Sequence, residues 1–156
     1  IPCYGNERTM ERIKTLFGYI FSNERNDGWK PELSVNAVEG PFTLFGVKVT
    51  PVPVAHGSGV ATGYRIKDFA YLTDCSLIPQ ESIELLRGVK LLVLGALRHK
   101  PHPRHLRISE AVEASKLIGA ERTVFTHLSH NVDYALDSST LPQGVEFGYD
   151  GMALEV

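Results

Sequence analysis

The sequence predicts a single domain of the α/β or α+β class, because helix-like and strand-like apolar patterns alternate along the chain. The run VKLLVLGA is continuously apolar, which is typical of a strand buried on both faces, and RTVFTHL predicts a second such strand. The segment ISEAVEASKLIG instead repeats its apolar residues at helical spacing. The 156 residues contain no repeat, linker or low-complexity segment. We therefore expect one domain over residues 1–156, long enough to bury a sizeable core.

The first half of the chain predicts one helix followed by several strands. The helix is expected to begin at Asn6, a plausible N-cap, and to end near Ser22, where SNERNDG is typical of a polar turn. Residues 29–46 indicate a strand, a turn and a strand around EGPF. The prolines of VKVTPVPVA predict a strand at a sheet edge or a strand end, since proline donates no ladder hydrogen bond. The segments ATGYRI and FAYLT predict a hairpin that turns at KD.

The second half alternates helices with the buried strands. The segment PQESIELLRG predicts a short helix, with proline near its start and glycine after its end. After the strand VKLLVLGA, a second helix is expected with Ser109 as N-cap and Gly119 as C-cap. The strand RTVFTHL follows, and VEFGYDGMALEV predicts a closing hairpin that turns at Asp150 and Gly151.

The composition argues against several classes of protein. Hydrophobic residues make up 43% of the chain and the net charge is −2, so the basic field of a protein that coats nucleic acid or anionic membrane is lacking. No apolar run approaches the ~20 residues of a membrane span. Cys3 and Cys75 have no CxxC partner, which argues against a disulfide scaffold or a zinc knuckle. We expect a reducing, cytoplasmic location.

Several histidines and one aspartate follow predicted strands. His56 follows VTPVPVA, Asp74 follows FAYLT, and His127 ends TVFT. The loop ALRHKPHPRHL, which follows the apolar run, adds three histidines at a spacing of three. Strand ends that deliver His and Asp side chains to one cleft are what a metal site built from loops requires. Each residue alone also fits a capped, solvated or turn-forming role, so spacing by itself leaves both interpretations open.

The ordered motifs VPVAHGSG, YLTDCS, ALRHKPHPRHLRISEA, TVFTHLSHNVDY and LPQGVEFGYDGM resemble a known family. They are similar to the later motifs of metallo-β-lactamase-fold hydrolases, specifically the branch of the phosphoribosyl cyclic phosphodiesterase of phosphonate breakdown. The resemblance implies an α+β fold, the αββα four-layer sandwich, of which this chain holds the C-terminal part. It also implies two divalent metal ions, zinc or manganese, in the cleft.

The resemblance implies roles for individual residues. His56 would ligate one metal, His127 the other, and Asp74 would bridge both. His105 matches the family's non-ligand histidine that faces the substrate phosphate, so it would protonate the leaving oxygen. His130 is a candidate on the substrate side.

The remaining side chains around these motifs receive weaker predictions. Arg104 flanks His105 and could hold phosphate, although a solvated loop arginine is the plainer interpretation. His99 and His102 receive no ligand role and are expected to shape the loop or line its mouth. Cys75 is expected to be a small buried side chain, since adjacent strand residues point to opposite faces.

One family signature is missing from the chain. The motif His-x-His-x-Asp-His, which supplies two ligands to each metal in the family, does not occur, and the first histidine is His56. By the family pattern four of seven protein ligands are absent, so the chain alone is expected to be inactive. Together with the first residue, Ile1, this indicates part of a longer enzyme. We expect the chain to associate with copies of itself or with the missing N-terminal segment.

The expected activity is that of a metal-dependent hydrolase, a binuclear phosphodiesterase that cleaves a small, cyclic or otherwise strained phosphate ester. A nucleic-acid phosphodiesterase of the same fold is a second possibility, disfavoured by the near-neutral charge. A third is a non-catalytic half-domain that binds a partner or one metal through HKPHPRH. The gene sequence upstream of Ile1 would separate the enzyme from the binding module.

Overall fold

The computed structural model describes residues 1–22 and 30–155, which fall into two compact units, Ile1–Phe42 and Thr43–Val156. Whether both belong to the one domain expected over residues 1–156 stays a prediction. The predicted polar turn SNERNDG lies, apart from its first residue, outside the described residues.

The first unit contains the predicted N-terminal helix in two pieces. Helix α1 (Glu7–Leu16) begins where the sequence indicated, because the side chain of Asn6 accepts a hydrogen bond from the N–H of Thr9 at 2.9 Å. The chain leaves helical geometry at Phe17, and a short helix α2 (Gly18–Phe21) follows. The predicted extent is confirmed, but one continuous helix is not.

The strands of the first unit form a small sheet. Strand β1 (Pro2–Gly5) pairs in parallel with β2 (Ser34–Ala37). Strand β1 was not predicted, since four residues are too few to show a period. The strand, turn and strand expected over residues 29–46 are confirmed by β2 and β3 (Phe42–Leu44), with Trp29 outside the described residues.

A seven-stranded mixed sheet in the order β3-β4-β5-β6-β7-β8-β9 dominates the second unit. Strands β4, β5 and β6 are antiparallel neighbours, whereas β6, β7, β8 and β9 run parallel. Strands β4, β6, β7, β8 and β9 therefore all end at the same edge of the sheet. The bounds are β4 (Val47–His56), β5 (Gly59–Ile66), β6 (Phe69–Leu72), β7 (Leu91–Gly95), β8 (Arg122–Thr126) and β9 (Val145–Phe147).

The antiparallel half confirms the predicted hairpin and corrects the predicted edge. Strands β5 and β6 turn at Lys67 and Asp68, with Ile66 paired to Phe69. Strand β4 is not at the sheet edge, because β3 lies outside it. The prolines of β4 are nevertheless accommodated. Strand β3 has three residues and β4 has ten, so β3 pairs with only part of β4 and leaves the rest of that side without a ladder to interrupt.

Three helices belong to this unit: α3 (Gln80–Leu86), α4 (Ile108–Ile118) and α5 (Tyr134–Ser138). The first two were predicted, and the five-residue α5 was not. The predicted N-cap Ser109 is wrong, because α4 begins earlier and Arg107 is the N-cap. The N–H of Arg107 donates a hydrogen bond to the carboxylate of Glu110, the third residue of the helix, at 3.1 Å.

The predicted C-cap of α4 is confirmed. Gly119 has φ +75°, a left-handed conformation that glycine adopts without a side-chain clash.

The core occupies both faces of the sheet. Leu92, Leu94 and Phe125 belong to a large buried cluster that includes residues of α3 and α4. Their strand neighbours Leu91 and Val93 point to the other face, where they form a smaller cluster. All five residues of β7 are buried, as the continuous apolar run predicted.

The predicted closing hairpin is wrong in its second half. The chain turns at Gly151, with φ +88°, but residues 152–155 form no strand. Instead Met152 and Leu154 pack on the smaller cluster, so they cover apolar sheet surface rather than extend the ladder.

No helix within residues 1–22 and 30–155 is long and apolar enough to cross a membrane. Cys3 and Cys75 are free thiols, in agreement with the prediction that they form no disulfide.

Candidate metal and catalytic site

Four segments converge at the edge where β4, β6, β7 and β8 end. His56 is the last residue of β4, Asp74 lies two residues beyond β6, and His127 directly follows β8. His105 comes from the loop between β7 and α4. The sheet therefore brings together side chains that are remote in sequence, because parallel strands share one carboxyl edge.

Backbone hydrogen bonds fix the acidic segment between its neighbours. After Asp74, the N–H of Ser76 donates to the carbonyl of Ala55 in β4 at 2.7 Å. The N–H of Leu106 donates to the carbonyl of Cys75, also at 2.7 Å. Since the segment is tied to β4 on one side and to the histidine loop on the other, its carboxylate has a defined position.

The carboxylate of Asp74 is the common point of the site. Its Oδ1 lies 4.0 Å from His56 Nε2, 3.8 Å from His105 Nδ1 and 3.6 Å from His127 Nε2. These separations are too long for direct hydrogen bonds. They suit ligands of a shared ion, because zinc binds imidazole nitrogen and carboxylate oxygen at roughly 2.0–2.2 Å, which places two ligands about 3–4 Å apart.

Two nitrogen atoms of the cluster lack partners. His56 Nε2 and His105 Nδ1 are buried and accept or donate no hydrogen bond within the described part of the chain. A buried polar atom without a partner is costly, and an imidazole nitrogen with a free lone pair is a common metal ligand. The donor set therefore fits a divalent cation.

Two of the converging residues have an unusual backbone. Asp74 has φ +52° and His127 has φ +62°, values in the left-handed region. Such a conformation costs of order 1 kcal/mol for a residue with a side chain and is concentrated at functional sites. In both cases it directs the side chain toward the cluster.

His105 is the centre of an imidazole group. Its ring centroid lies 4.9 Å from that of His56, 4.9 Å from that of His102 and 4.8 Å from that of His127. Its side chain is 15% exposed. Burial lowers the pKa of His105, His127, His56 and His102 lower it further, and the carboxylate of Asp74 opposes the effect.

The geometry permits two ligand sets. The resemblance implies His56, Asp74 and His127 as ligands, and all three belong to the cluster. The structure also places donor atoms of His56, Asp74 and His105 within 4.8 Å of one another. His105 is thus close enough to act as a ligand itself, so its assignment as the proton donor stays a prediction.

His99 and His102 make their polar contacts with residues other than Asp74. His99 Nε2 pairs with Asp137 Oδ2 of α5 at 3.0 Å, and this hydrogen bond lowers the pKa of the Asp137 carboxyl. His102 Nδ1 accepts a hydrogen bond from the N–H of Arg104 at 3.3 Å. These contacts fit the predicted loop-shaping role. Asp137 was missed from sequence, because nothing local indicates a partner 38 positions from His99.

The two substrate-side candidates differ in position. Arg104 is exposed, but its side chain lies against Gly57, directly after His56. His130 is exposed in the turn after β8, and no ion pair or ring contact joins it to the cluster in the described residues.

Cys75 is 2% exposed, and burial raises the pKa of its thiol to about 12, which confirms the predicted small buried side chain.

The model of a family described as beta-lactamase superfamily domain matches residues 1–128. A curated relative from Porphyromonas gingivalis (strain ATCC BAA-308 / W83), named octanoyltransferase, is 32% identical over 97% of this chain. The match covers 32% of that relative, so the chain spans about a third of its length.

Two solved structures resemble the chain closely enough to compare the fold. One is described as a new diphosphatase from the PhnP family: it is 40% identical, with a TM-score of 0.89, over 99% of this chain and 58% of that one. The metallo-β-lactamase-fold protein YhfI from Bacillus subtilis is 21% identical, with a TM-score of 0.74, over 97% of this chain and 63% of that one.

The predicted fold class is confirmed by the mixed sheet with its helices and by these structures. The family match over residues 1–128 includes all four converging residues. They are His56, Asp74, His105 and His127. The chain belongs to the beta-lactamase superfamily domain family and has the α+β metallo-β-lactamase fold.

Proposed function

We propose that this chain is part of a metal-dependent phosphodiesterase that hydrolyses a small phosphate ester, in the branch of the phosphoribosyl cyclic phosphodiesterase. One observation carries the proposal: a single carboxylate oxygen lies 3.6–4.0 Å from three imidazole nitrogens. Two of these nitrogens are buried without a hydrogen-bond partner. Such an arrangement is unfavourable unless a cation occupies its centre.

The proposed ligands are His56, Asp74 and His127, with Asp74 shared between two ions. Zinc or manganese suits this set of imidazole and carboxylate donors. When bound, two such ions supply positive charge beside the phosphate and lower the pKa of a water molecule. We further propose that the missing ligands come from a segment upstream of Ile1 with the motif His-x-His-x-Asp-His.

His105 is the proposed proton donor. The oxygen of a water molecule would form a bond to phosphorus and lose its proton to solvent while the ester P–O bond breaks; the leaving oxygen would take a proton from the imidazolium of His105, which solvent then reprotonates. Nδ1 of His105 is the nitrogen near Asp74, so Nε2 serves the leaving group. The carboxylate favours the protonated imidazole, whereas burial and the neighbouring imidazoles disfavour it.

The printed descriptions of the relatives favour phosphate chemistry. The relative that is 40% identical is described as a diphosphatase. Acyl transfer through a cysteine, which the name octanoyltransferase raises, finds no accessible thiol beside Asp74, because Cys75 is buried and burial raises the pKa of its thiol to about 12. The two free thiols are consistent with a reducing compartment such as the cytoplasm.

The test uses the full-length natural protein that contains this chain, loaded with zinc or manganese, and bis(p-nitrophenyl) phosphate as substrate. Asp74→Ala is expected to lose both bound metal and activity. His105→Ala is expected to keep its metal and to lose about 100- to 10,000-fold in kcat. Asp68→Ala, in the exposed turn between β5 and β6, is the matched control and should behave as the parent.

Metal analysis separates the outcomes. Equal activity in the Asp74 and His105 variants and the parent would reject the assignment. Loss of metal from His105→Ala would make His105 a ligand rather than the proton donor. Metal binding without hydrolysis of any phosphate ester would favour the alternative, a non-catalytic binding module.

A further inference from the structure

We propose that Asp137, through its hydrogen bond with His99, is a positioning residue for the reaction: it holds the histidine loop, residues 97–106, against the segment that follows β8. The inference rests on the proposed function, because the loop carries the proposed proton donor, His105, and the segment begins at the proposed ligand His127. It adds two residues to that function, since neither member of the pair belongs to the cluster.

In the described residues, two hydrogen bonds join the histidine loop to the segment that follows β8. The first is between backbones: the N–H of Ser129 donates to the carbonyl of Leu97 at 2.8 Å. The second is between side chains: Nε2 of His99 lies 3.0 Å from Oδ2 of Asp137. A single hydrogen bond leaves two segments free to pivot about it, whereas two separated bonds fix their relative orientation. The side-chain pair supplies the second of these points.

Asp137 has a defined position of its own on α5. Its side chain is 20% exposed, and its Oδ2 also accepts a hydrogen bond from the N–H of Asp133 at 2.9 Å. Asp133 caps the helix, because its Oδ1 accepts from two N–H groups of α5 at 3.0 Å. The ring of Tyr134 lies 6.3 Å from that of Phe147, which is buried in the main core cluster. Helix α5 is thus attached to the core, so its carboxylate can restrain the loop.

The acceptor in this pair is charged. Hydrogen bonding to His99 lowers the pKa of the Asp137 carboxyl, so the group is an ionised carboxylate at neutral pH. Hydrogen bonds to a carboxylate are shorter and stronger than those between neutral groups. The bond therefore restrains His99 although 52% of its side chain is exposed.

The composition and contacts of the loop carry this restraint from His99 to His105. Pro101 and Pro103 each fix one backbone dihedral angle. Between them, Nδ1 of His102 accepts a hydrogen bond at 3.3 Å from the N–H two positions along the chain. The ring of His102 lies 4.9 Å from the ring of His105. A loop stiffened in this way moves as a unit, so a displacement at His99 reaches His105.

His105 requires such a restraint because its ring stands between two others. Its ring centroid is 4.9 Å from that of His56 and 4.8 Å from that of His127. Its Nδ1 has no hydrogen-bond partner within the described residues that would hold the ring. Misplacement of a reacting group by about 1 Å can cost about 100-fold in rate. Loss of the pair is therefore expected to slow proton donation without removing any group from the site.

The first test measures hydrolysis of bis(p-nitrophenyl) phosphate by the metal-loaded full-length protein. Asp137→Ala is expected to lower kcat about 10- to 100-fold, with KM changed less than about 2-fold, since the metal ions still hold the phosphate. Asp137→Asn should keep most of the activity, because an amide oxygen accepts the same hydrogen bond.

Arg122→Ala is the matched control. Arg122 is the first residue of β8 and pairs with Glu146 of β9, so this ion pair also joins two elements, but at the opposite edge of the sheet from the cluster. The variant should keep the kcat of the parent. A loss of kcat in Arg122→Ala as large as that in Asp137→Ala would contradict a specific role for Asp137.

A second set of variants tests whether Asp137 acts through His105. In a protein that already carries His105→Ala, Asp137→Ala should lower kcat no further, because the group that it positions is absent. His99→Ala should reproduce the effect of Asp137→Ala, and the two together should cost no more than either alone. Losses in kcat that multiply in either double variant would overturn the inference, because they indicate a general structural defect.

The last test does not depend on turnover. The ring resonances of His105 are followed by NMR in the metal-loaded full-length protein labelled at histidine. Asp137→Ala is expected to shift them, and Arg122→Ala to leave them in place. Unchanged His105 resonances in Asp137→Ala overturn the inference. If they shift but the parent hydrolyses no phosphate ester, the proposed function fails and the positioning of His105 by Asp137 stands.

Discussion

Single residues at the site depart from ordinary backbone geometry where their side chains are needed. Asp74 and His127 have positive φ, a conformation that their sequence neighbours do not demand. The segment after Asp74 donates a hydrogen bond to the carbonyl of Ala55 and accepts one from the N–H of Leu106, and both help to hold the backbone at Asp74. The strain is thus offset by the surrounding sheet, as at other sites where a side chain must be aimed.

Cys75 shows how one step along the chain changes chemistry. It follows Asp74, but it is buried in the main core cluster and the pKa of its thiol is about 12. A thiol with that pKa carries almost no thiolate at pH 8. Within the described residues, Cys75 is not among the clustered donor atoms of His56, Asp74 and His105, because its side chain packs in the core instead.

The native chain is accordingly expected to react with a thiol reagent at Cys3, which is half-buried, and not at Cys75. At pH 8, titration with Ellman's reagent should give one fast thiol in the native state and two in denaturant. Cys75→Ala is the control, and it should leave the native count unchanged. Rapid modification of Cys75 in the folded chain would contradict the burial described here.

At the level of elements, the carboxyl edge of the sheet positions the site. One residue of the cluster ends β4, two more lie just beyond β6 and β8, and the loop between β7 and α4 supplies a fourth. The N–H of Ser129 donates to the carbonyl of Leu97 at 2.8 Å, which ties the segment after β8 to that loop. Any change that separates β5 from β6 should disturb Asp74, since β6 leads directly to it.

Gly63 in β5 is the sharpest test of this packing. A Cβ there would lie 2.8 Å from Leu72 Cγ and 2.9 Å from the carbonyl oxygen of Tyr71. Gly63→Ala is therefore expected to lower the free energy of unfolding by about 1–3 kcal/mol through overpacking. Gly40→Ala, with no atom within 4 Å of the new Cβ, should change stability by less than about 0.5 kcal/mol. Equal urea midpoints for both variants would contradict the close contact.

At the scale of the second unit, the described residues leave a cavity of about 530 Å³ on the face of the large sheet that carries the smaller apolar cluster. Its walls are both apolar and polar and extend to His127. Among its lining residues, Tyr71 and Tyr149 remain about half exposed. Exposed apolar surface of this kind favours association with another polypeptide.

If the chain is part of a longer enzyme, as proposed above, residues 1–156 are expected to self-associate or to bind the proposed segment that carries His-x-His-x-Asp-His. Size-exclusion chromatography with light scattering should show a mass above 17.3 kDa. Adding the proposed segment as a separate polypeptide should convert the self-associated form to a one-to-one complex. A well-behaved monomer at high concentration, without that segment, would contradict the prediction.

The sequence by itself determined most of the elements and the identity of the clustered residues. Local signals were sufficient for the cap at Asn6, the hairpin at Lys67 and the buried strand β7, because capping, turn geometry and apolar runs depend on near neighbours. The motifs around His56 and Asp74 suggested a shared site through resemblance rather than spacing.

Only the tertiary structure decided how distant segments meet. The place of β4 inside the sheet, the absence of a strand over residues 152–155 and the pairing of His99 with Asp137 all depend on what packs nearby, and no local pattern encodes this. The same holds for the seat of Arg104 on Gly57. Long-range contacts of this kind form when the whole sheet assembles, since each is stabilised by surfaces that come from other parts of the chain.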